Sequence, residues 1–314
     1  MKTKIFSLEQ IKKAAELIRK GGLVAFPTET VYGIGANAFD PEPVKKIFIA
    51  KGRPSDNPLI VHIAKKKQLN EIAKIKLSEK ILVEKLIQKF WPGPLTIVLK
   101  KTEKIPLEVT GGLNTVAVRM PKKKIALRLI NYSKVPIAAP SANLSGKPSG
   151  TCFEHVFEDF NGKIAGIIKS KSCEIGLEST VVDLTTDRPI LLRPGAISFE
   201  ELKKFLPNLR KHSCKKINKV KSPGMKYKHY SPDAMVFIVK NDNEIKTICE
   251  EHPSKKIKIL KYSDEIGMAK NLYKDFLKSD KEGYNIIIVR EVKDRGFGCA
   301  IMDRLRKASV NKRS

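Results

Sequence analysis

The sequence predicts a two-domain α/β protein: a mixed sheet in the first part of the chain and a small parallel, Rossmann-like α/β unit after it. At 314 residues, the chain exceeds the length that one hydrophobic core usually serves. Up to about Pro207, many short apolar runs occur with few long helical patterns between them, which favours a mixed sheet. Beyond Asp233, apolar runs alternate with helical stretches, which is typical of parallel β–α–β units.

The first elements follow from capping and apolar spacing. Ser7 and Gln10 have the spacing of a capping box, and apolar residues recur at helical intervals until Gly21. The apolar run 23–26 then predicts a buried strand. Similar signals predict strands at 59–63, 95–99, 115–119, 135–139, 164–169, 180–184 and 190–193, and helices at 40–50 and 81–90.

A loop rich in hydroxyls and glycines, PTETVYGIG at 27–35, is predicted after the first strand. It could present Thr28, Thr30 and Tyr32 to a small polar ligand, and its glycines would let backbone amides approach an anion. The alternative is a turn whose hydroxyls cap only their own backbone.

A cationic loop, KGRPSDNPL at 51–59, follows the helix that Asp40 is predicted to cap. It places Lys51 and Arg53 one residue apart before a strand. The glycine between them allows close approach of a ligand, and a guanidinium fork with an ammonium charge suits a polyphosphate. The alternative is a solvent-exposed basic turn.

Other candidate residues lie at strand ends. His62 is either a functional group or an ordinary core histidine. Arg119 ends a strand before a proline turn, where it could hold a carboxylate or phosphate. The polar loop PSANLSGKPSGT at 140–151 resembles a nucleotide-contacting loop but is no Walker A motif. Ser179 and Arg193 lie at the ends of later strands.

The second domain is predicted after a lysine-rich passage that contains SPGMKYKHYSP and is bounded by prolines. The prolines and interleaved aromatic residues indicate a fixed conformation, although a linker of this charge could also attract RNA. We predict a first domain at 1–208, an ordered basic linker at 209–233 and a second domain at 234–314. Within the second, strands are predicted at 235–239, 257–260 and 286–289, and helices at 244–251, 265–277 and 299–308.

The formal net charge of +28 would attract a polyanion such as RNA or a phosphorylated substrate. A lysine-rich proteome would give the same bias without any nucleic acid. The five cysteines form no CxxC pair, so neither a disulfide framework nor a zinc site is indicated. No signal peptide and no membrane-spanning run is predicted, and we expect a cytoplasmic protein.

Together, these loops resemble one family. KGR at 51–53 with SAN at 141–143 is similar to the KxR and SxN pairing of the YrdC-type threonylcarbamoyl-AMP synthases. PTETVYGIG and SANLSGKPSGT resemble that family's two polar loops, and SPGMKYKHYSP resembles the linker of its long, two-domain form. The resemblance covers essentially the whole chain and implies a twisted open mixed sheet with a positively lined concave face, followed by an accessory domain.

The resemblance implies a nucleotidyltransferase that condenses L-threonine, bicarbonate and ATP into threonylcarbamoyl-AMP and pyrophosphate. A tRNA-threonylcarbamoyl transferase complex would pass the group to the adenosine beside the anticodon of ANN-decoding tRNAs. Mg²⁺ would be held mainly by the ATP phosphates. The rival hypothesis is a double-stranded RNA- or tRNA-binding module without catalysis; a third is a hydrolase of carbamoyl phosphates.

The same resemblance implies roles for individual residues, with no general base among them. Lys51 and Arg53 would be catalytic, through charge neutralisation. The residues around L-threonine would be Thr30, His62, Arg119, Ala139 and Ser179. Those around ATP would be Arg53, Asn57, Thr115, Ser141, Asn143, Ser149, Arg193 and Tyr230, the last brought in by the linker. One departure from the family pattern is Asp303, which stands before Arg304 where the family more often has asparagine.

Overall fold

The computed structural model describes residues 2–212 and 229–310, apart from the side chain of Ser78. In these ranges the strands are β1 Lys4–Phe6, β2 Val24–Pro27, β3 Tyr32–Asn37, β4 Ile60–His62, β5 Ala73–Lys74, β6 Leu95–Lys101, β7 Thr115–Arg119, β8 Ile137–Ala139, β9 Gly166–Ile168, β10 Thr180–Asp183, β11 Ile190–Arg193, β12 Arg210–Lys211, β13 Met235–Val239, β14 Ile257–Leu260 and β15 Ile286–Arg290. The α-helices are α1 Ile11–Arg19, α2 Pro41–Lys51, α3 Leu69–Ile72, α4 Leu77–Phe90, α5 Leu107–Thr110, α6 Lys124–Ser133, α7 Phe153–Phe160, α8 Phe199–Lys203, α9 Asp242–Glu251, α10 Glu265–Lys281 and α11 Gly298–Ala308. Most of the predicted linker, residues 213–228, lies outside the described residues.

The strands of the described ranges form two sheets. Twelve of them make one twisted mixed sheet, in the order β1-β9-β2-β3-β8-β4-β7-β6-β10-β11-β12, with β5 beside β6. The sheet contains both parallel neighbours, such as β4 and β7, and antiparallel neighbours, such as β6 and β7. The other three strands form a wholly parallel sheet, in the order β13-β15-β14. The predicted fold class, a mixed sheet followed by a small parallel α/β unit, is confirmed.

Both faces of the large sheet are covered, which explains why β2 reads as a continuous apolar run. Val24 and Phe26 pack with residues of α1 and α6, whereas Ala25 packs in a second core that includes residues of α2 and α4. The core of the parallel sheet also takes in Val31 and Leu177 from the first part of the chain. The two sheets therefore share buried apolar surface. Among the described residues, no helix is long and apolar enough to cross a membrane.

The loop predicted at 27–35 is wrong in its second half, because β3 begins at Tyr32. The glycines that suggested a loop serve close packing between strands instead. A Cβ on Gly35 would lie 2.6 Å from a side-chain carbon of Ile137 and 2.8 Å from the ring of Phe26. Sequence patterns could not distinguish this use of glycine from a turn.

Helix boundaries also differ from the predictions. Helix α4 begins at Leu77 rather than at residue 81. At its N-terminus, the carboxylate of Glu79 accepts a hydrogen bond from the backbone N–H of Lys76 at 3.2 Å. Leu77 and Ile81 are 86% and 67% exposed, so the apolar residues at the start of this helix do not mark its buried face. Helices α6 and α7 were not predicted.

Helix α2 leads directly into the cationic loop and so determines where that loop begins. Asp40 caps it by accepting from the backbone N–H of Glu42 at 3.0 Å, as its position predicts. Gly52 ends it in the left-handed conformation, with φ of 59°, and its N–H donates to the carbonyl of Ile49. Lys51 therefore lies on the last helical turn, buried, rather than in the loop itself.

We expect Asp40→Ala to lower the free energy of unfolding by about 1 kcal/mol, because the N–H of Glu42 loses its acceptor. Asp40→Asn retains a side-chain oxygen and is the matched control. Urea unfolding followed by circular dichroism would measure both variants. Equal losses in the two variants would contradict a capping role.

Candidate active site

A cavity that is partly open to solvent lies where several strands of the large sheet end. His62 ends β4 and Arg119 ends β7, and the two residues are neighbours in the parallel register. Ala139 ends β8, and Ser179 precedes β10. The predicted site residues that line the cavity are Thr30, Lys51, Arg53, His62, Arg119, Ala139, Ser141, Asn143, Ser179, Arg193 and Tyr230.

Three predicted ATP residues do not line the cavity. Asn57 is a buried residue of the cationic loop, and its backbone oxygen lies 3.4 Å from Nη2 of Arg53. Thr115 lies at the opposite end of β7 from Arg119. Ser149 is fully buried and donates to Oε1 of Glu178 at 2.5 Å. Their roles toward ATP stay predictions.

Lys51 is held at the end of α2 by the second polar loop. Its Nζ donates to the carbonyl oxygen of Ser141 at 2.7 Å and to that of Asn143. Burial, followed by the nearby guanidinium of Arg53, lowers the pKa of Lys51 well below its ordinary value. The two loops that the sequence placed far apart thus meet at one ammonium group.

Arg119 is oriented by a carboxylate that the sequence analysis did not single out. Its Nη2 donates to Oε1 of Glu29 at 2.7 Å, and its Nη1 donates to Oγ1 of Thr30 at 2.9 Å. The other oxygen of Glu29 accepts from the backbone N–H of Lys122 at 3.0 Å. Burial alone would raise the pKa of Glu29, but the charge and hydrogen bond of Arg119 outweigh it and lower that pKa.

Thr28 follows the alternative interpretation of its loop, in which a hydroxyl caps its own backbone, whereas the hydroxyl of Tyr32 contacts a distant strand. Oγ1 of Thr28 donates to the carbonyl of Val31 at 2.7 Å and accepts from the N–H of Thr30 at 3.2 Å, so it stabilises its own turn. The hydroxyl of Tyr32 lies 3.4 Å from the carbonyl of Ile168, on β9. Thr30 alone of the three bonds the predicted substrate residue Arg119.

Ser179 is fixed from two sides. Its Oγ lies 2.7 Å from Oγ1 of Thr96 on β6 and accepts from Nη2 of Arg193 at 3.2 Å. Nε of Arg193 donates to the backbone oxygen of Ser179 at 3.0 Å. One residue predicted for threonine and one predicted for ATP are therefore in direct contact, which places the two predicted subsites side by side.

Tyr230 covers one side of the cavity from the C-terminal end of the linker. Its backbone φ is 64°, its ring stacks on Tyr273 of α10 with centroids 5.6 Å apart, and the next residue, Ser231, donates its N–H to the carbonyl of Gly146 at 2.9 Å. Its neighbour His229 also lines the cavity. Burial, and then the charges of Arg53 and Lys307, lower the pKa of His229 to about 4, so its ring is neutral at pH 7.

Comparisons with known proteins assign a family to the chain. A family model named Sua5/YciO/YrdC and described as telomere recombination matches residues 16–195, and another, described as the C-terminal domain of threonylcarbamoyl-AMP synthase, matches residues 197–310. The chain belongs to the Sua5/YciO/YrdC family. The family expected from the motifs is thereby confirmed, in its two-domain form.

Individual relatives agree over nearly the whole chain. A Pyrococcus abyssi protein named threonylcarbamoyl-AMP synthase is 49% identical over 322 residues, covering 96% of this chain and 94% of the relative. A Bacillus subtilis protein of the same name is 43% identical over 324 residues, covering 96% and 93%. The crystal structure of Pyrococcus abyssi Sua5 complexed with L-threonine matches with a TM-score of 0.93 at 47% identity, covering 99% of this chain and 98% of that one.

Sequence reasoning missed three residues at this Sua5-type site: Glu29, Glu178 and His229. Glu29 and His229 lie within motifs that were singled out, and Glu178 immediately precedes Ser179. This closeness to predicted residues was their only local signal. None could be assigned because their partners, such as Arg119 for Glu29, lie far away in the sequence. A buried carboxylate that orients an arginine leaves no local pattern.

His62 gives the site a measurable pH dependence. Its ring is buried, its Nδ1 lies 3.2 Å from the carbonyl of Ile60, and burial followed by the charge of Arg119 lowers its pKa to about 3. In the unfolded chain a histidine binds a proton below about pH 6.5. The unfolded state thus binds more protons than the folded state between these two values, and stability falls as the pH falls through that window.

We expect His62→Gln to remove this dependence. The unfolding free energy of the native protein, relative to the variant, should fall by up to about 1.4 kcal/mol per pH unit below about pH 6.5. Urea unfolding between about pH 4 and pH 8 would measure it. Parallel stability curves for the two proteins would show that the His62 ring is not held neutral.

Proposed function

We propose that this chain is an L-threonylcarbamoyladenylate synthase, which condenses L-threonine, bicarbonate and ATP into threonylcarbamoyl-AMP and releases pyrophosphate. The observation that carries the proposal is one cavity in which oriented cations adjoin a set of buried hydroxyls. Its support from relatives is the shared name threonylcarbamoyl-AMP synthase at 49% and 43% identity. Shape-based RNA binding needs cations across a broad face and has no use for buried hydroxyls in one pocket.

The threonine subsite is proposed around Arg119. A guanidinium has five N–H donors. Three are engaged by Glu29, Thr30 and the carbonyl oxygen of Gly93, which lies 3.3 Å from Nε. The remaining two can bind the amino-acid carboxylate while the protein contacts hold the fork in place. The Pyrococcus abyssi relative has been crystallised with L-threonine, which supports an amino-acid subsite here.

The ATP subsite is proposed around the cationic loop. Lys51, Arg53 and Arg193 all line the cavity, so a triphosphate bound among them would meet three cations. Ser141 and Asn143 lie beside Lys51 and are bonded to each other, Oγ to Oδ1, at 2.6 Å. We propose that they contact the nucleotide from the second polar loop.

The proposed reaction needs positioning more than covalent help. Threonine's neutral amine first condenses with bicarbonate to form a carbamate and water. A carbamate oxygen then attacks the α-phosphorus, the bond to pyrophosphate breaks, and the charge that develops is neutralised by Lys51 and Arg53. We propose that the direct contact between Ser179 and Arg193 sets the distance between the two subsites. Tyr230 lines the cavity, and we propose that it helps to exclude water from the hydrolysis-prone carbamate and adenylate.

Magnesium is proposed to enter with ATP and to be held mainly by its phosphate oxygens. The residues that the structure describes contain no cluster of three or more His, Cys, Asp or Glu side chains suited to a metal, and the charged lining of the cavity is mainly cationic. That lining fits a metal carried by the substrate. When bound, the ion would neutralise charge on the leaving pyrophosphate.

The product's destination is proposed from the same family relationship. A threonylcarbamoyl transferase complex would accept the adenylate and modify the adenosine beside the anticodon of ANN-decoding tRNAs, and we propose the cytoplasm as the compartment. Direct contact of this chain with tRNA is a further proposal, which the formal charge of +28 supports.

We expect pyrophosphate release from ATP, with bicarbonate and magnesium present, to require L-threonine. Lys51→Ala and Arg53→Ala should each lower the rate by about a hundredfold or more, since each removes a charge that neutralises the transition state. Serine should be about ten- to two-hundredfold poorer than threonine, because it lacks one methyl group. A coupled pyrophosphate assay would measure all of these rates.

Lys46→Ala is the matched control, because it removes an exposed cation from the same helix. Its rate should stay within about twofold of the native rate, since surface charges are screened by salt. No threonine-dependent release from the native protein, with RNA binding intact, would overturn the synthase in favour of the binding module.

A further inference from the structure

A buried ion pair joins the second part of the chain to the edge of the cavity. Nε of Arg304, on α11, donates to Oε2 of Glu178 at 3.0 Å, and the two side chains are 0% and 6% exposed. Glu178 lines the cavity, whereas Arg304 does not. A pair this deeply buried requires further hydrogen bonds to offset the loss of water.

Those further hydrogen bonds converge on Glu178 from both parts of the chain. The hydroxyl of Tyr273, on α10, donates to Oε2 at 3.1 Å, and Oγ of Ser149 donates to Oε1 at 2.5 Å. Burial would raise the pKa of Glu178, but Arg304 first, then Arg193 and Ser149, lower it overall, so the carboxylate is charged. Its neighbour in sequence is Ser179, one of the predicted threonine residues.

Arg304 also touches two other parts of the site's surroundings. Its Nη1 donates to the carbonyl of Pro194 at 2.7 Å, immediately after Arg193. Its guanidinium carbon lies 5.4 Å from the ring centroid of Tyr230, within cation–π range. A single side chain thus contacts the residue before Ser179, the residue after Arg193 and the ring that covers the cavity.

We propose that Arg304 is a positioning residue for the active site, fixing Glu178 and the ring of Tyr230 in one arrangement without contacting substrate. The inference rests on the proposed function for its catalytic readout only. It gives the second domain a role in the site, because α10 and α11 supply a hydroxyl and a guanidinium that no residue of the first domain replaces in the described structure. Asp303 supports the arrangement, since its Oδ2 accepts from Nη1 of Arg304 at 3.0 Å.

The planar fork of arginine is what the arrangement requires. A lysine at 304 would keep the charge but could not reach Glu178 and the carbonyl of Pro194 with a fixed fork while stacking on Tyr230. Arg304→Lys therefore tests geometry rather than charge. Arg306→Lys is its matched control, because Arg306 lies on the same helix, binds Asp294 at 2.7 Å and is 52% exposed.

We expect Arg304→Lys to lower kcat for threonine-dependent pyrophosphate release about tenfold or more, per folded molecule, through misplacement of the closed site. KM for ATP and for threonine should change less than about threefold, since the charges that bind both substrates stay in place. Arg306→Lys should match the native protein in both constants. Equal kcat values in the two variants would overturn the proposal.

A second pair of variants avoids loss of folding. Tyr273→Phe removes only the hydroxyl that binds Glu178 and keeps the ring that stacks on Tyr230. Tyr262→Phe removes a comparable hydroxyl, which binds Oδ2 of Asp275 at 2.9 Å. We expect kcat to fall about threefold in Tyr273→Phe alone, the size of one modest hydrogen bond. The same kcat in both would overturn a positioning role for this network.

Hydrogen exchange tests the arrangement without any substrate. The N–H of Ser231, bonded to the carbonyl of Gly146, should exchange at least about tenfold faster in Arg304→Lys than in Arg306→Lys, because local opening becomes easier. Equal exchange would show that Arg304 does not fix this segment. A native protein inactive with threonine would overturn the proposed function separately, and the exchange result would still decide the role of Arg304.

Discussion

The burial of several cations around one cavity is the constraint on which the rest of this structure depends. A buried ammonium or guanidinium group costs several kcal/mol unless the protein supplies acceptors for it. Lys51, Arg119, Arg193 and Arg304 are all less than 5% exposed. Their acceptors are the carbonyls of Ser141 and Asn143, the carboxylates of Glu29 and Glu178, and the backbone oxygens of Ser179 and Pro194. The strand ends, the loops and the second part of the chain together place these acceptors next to the buried cations.

The same constraint prepares the cavity for an anion. Fixed cations that need no reorganisation when charge develops are the usual source of electrostatic catalysis. The protein acceptors hold each group in place, and three of the four groups, Lys51, Arg119 and Arg193, line the cavity itself. The cost of burying a charge is clearest at Lys51, because burial and the charge of Arg53 lower the pKa of its amine. The negative charge of a bound polyphosphate would raise the pKa of Lys51 again and favour the charged amine.

Local patterns predicted the fold class and most strands, because capping, apolar runs and proline turns act over a few residues. The bounds of β7 and β11 agree with the predictions, while α6 and α7 were missed and β3 was wrongly predicted as a loop. The candidate site was predictable only through several spaced motifs considered together. Glu29, Glu178 and the contacts of Arg304 were not, since each depends on a partner about ninety residues or more away, and no short-range pattern records such a distance.

The shared core has a consequence for synthesis on the ribosome, where the chain emerges from its N-terminus at a limited rate. Val31 and Leu177 share a buried apolar cluster with residues of β13, β15, α10 and α11, so we expect both to be more exposed until those elements have been synthesised. Glu178 likewise lacks its ion-pair partner, Arg304, until α11 has been synthesised. We therefore expect a nascent chain that lacks α10 and α11 to expose apolar surface beside the cavity, which would favour aggregation at that stage of synthesis.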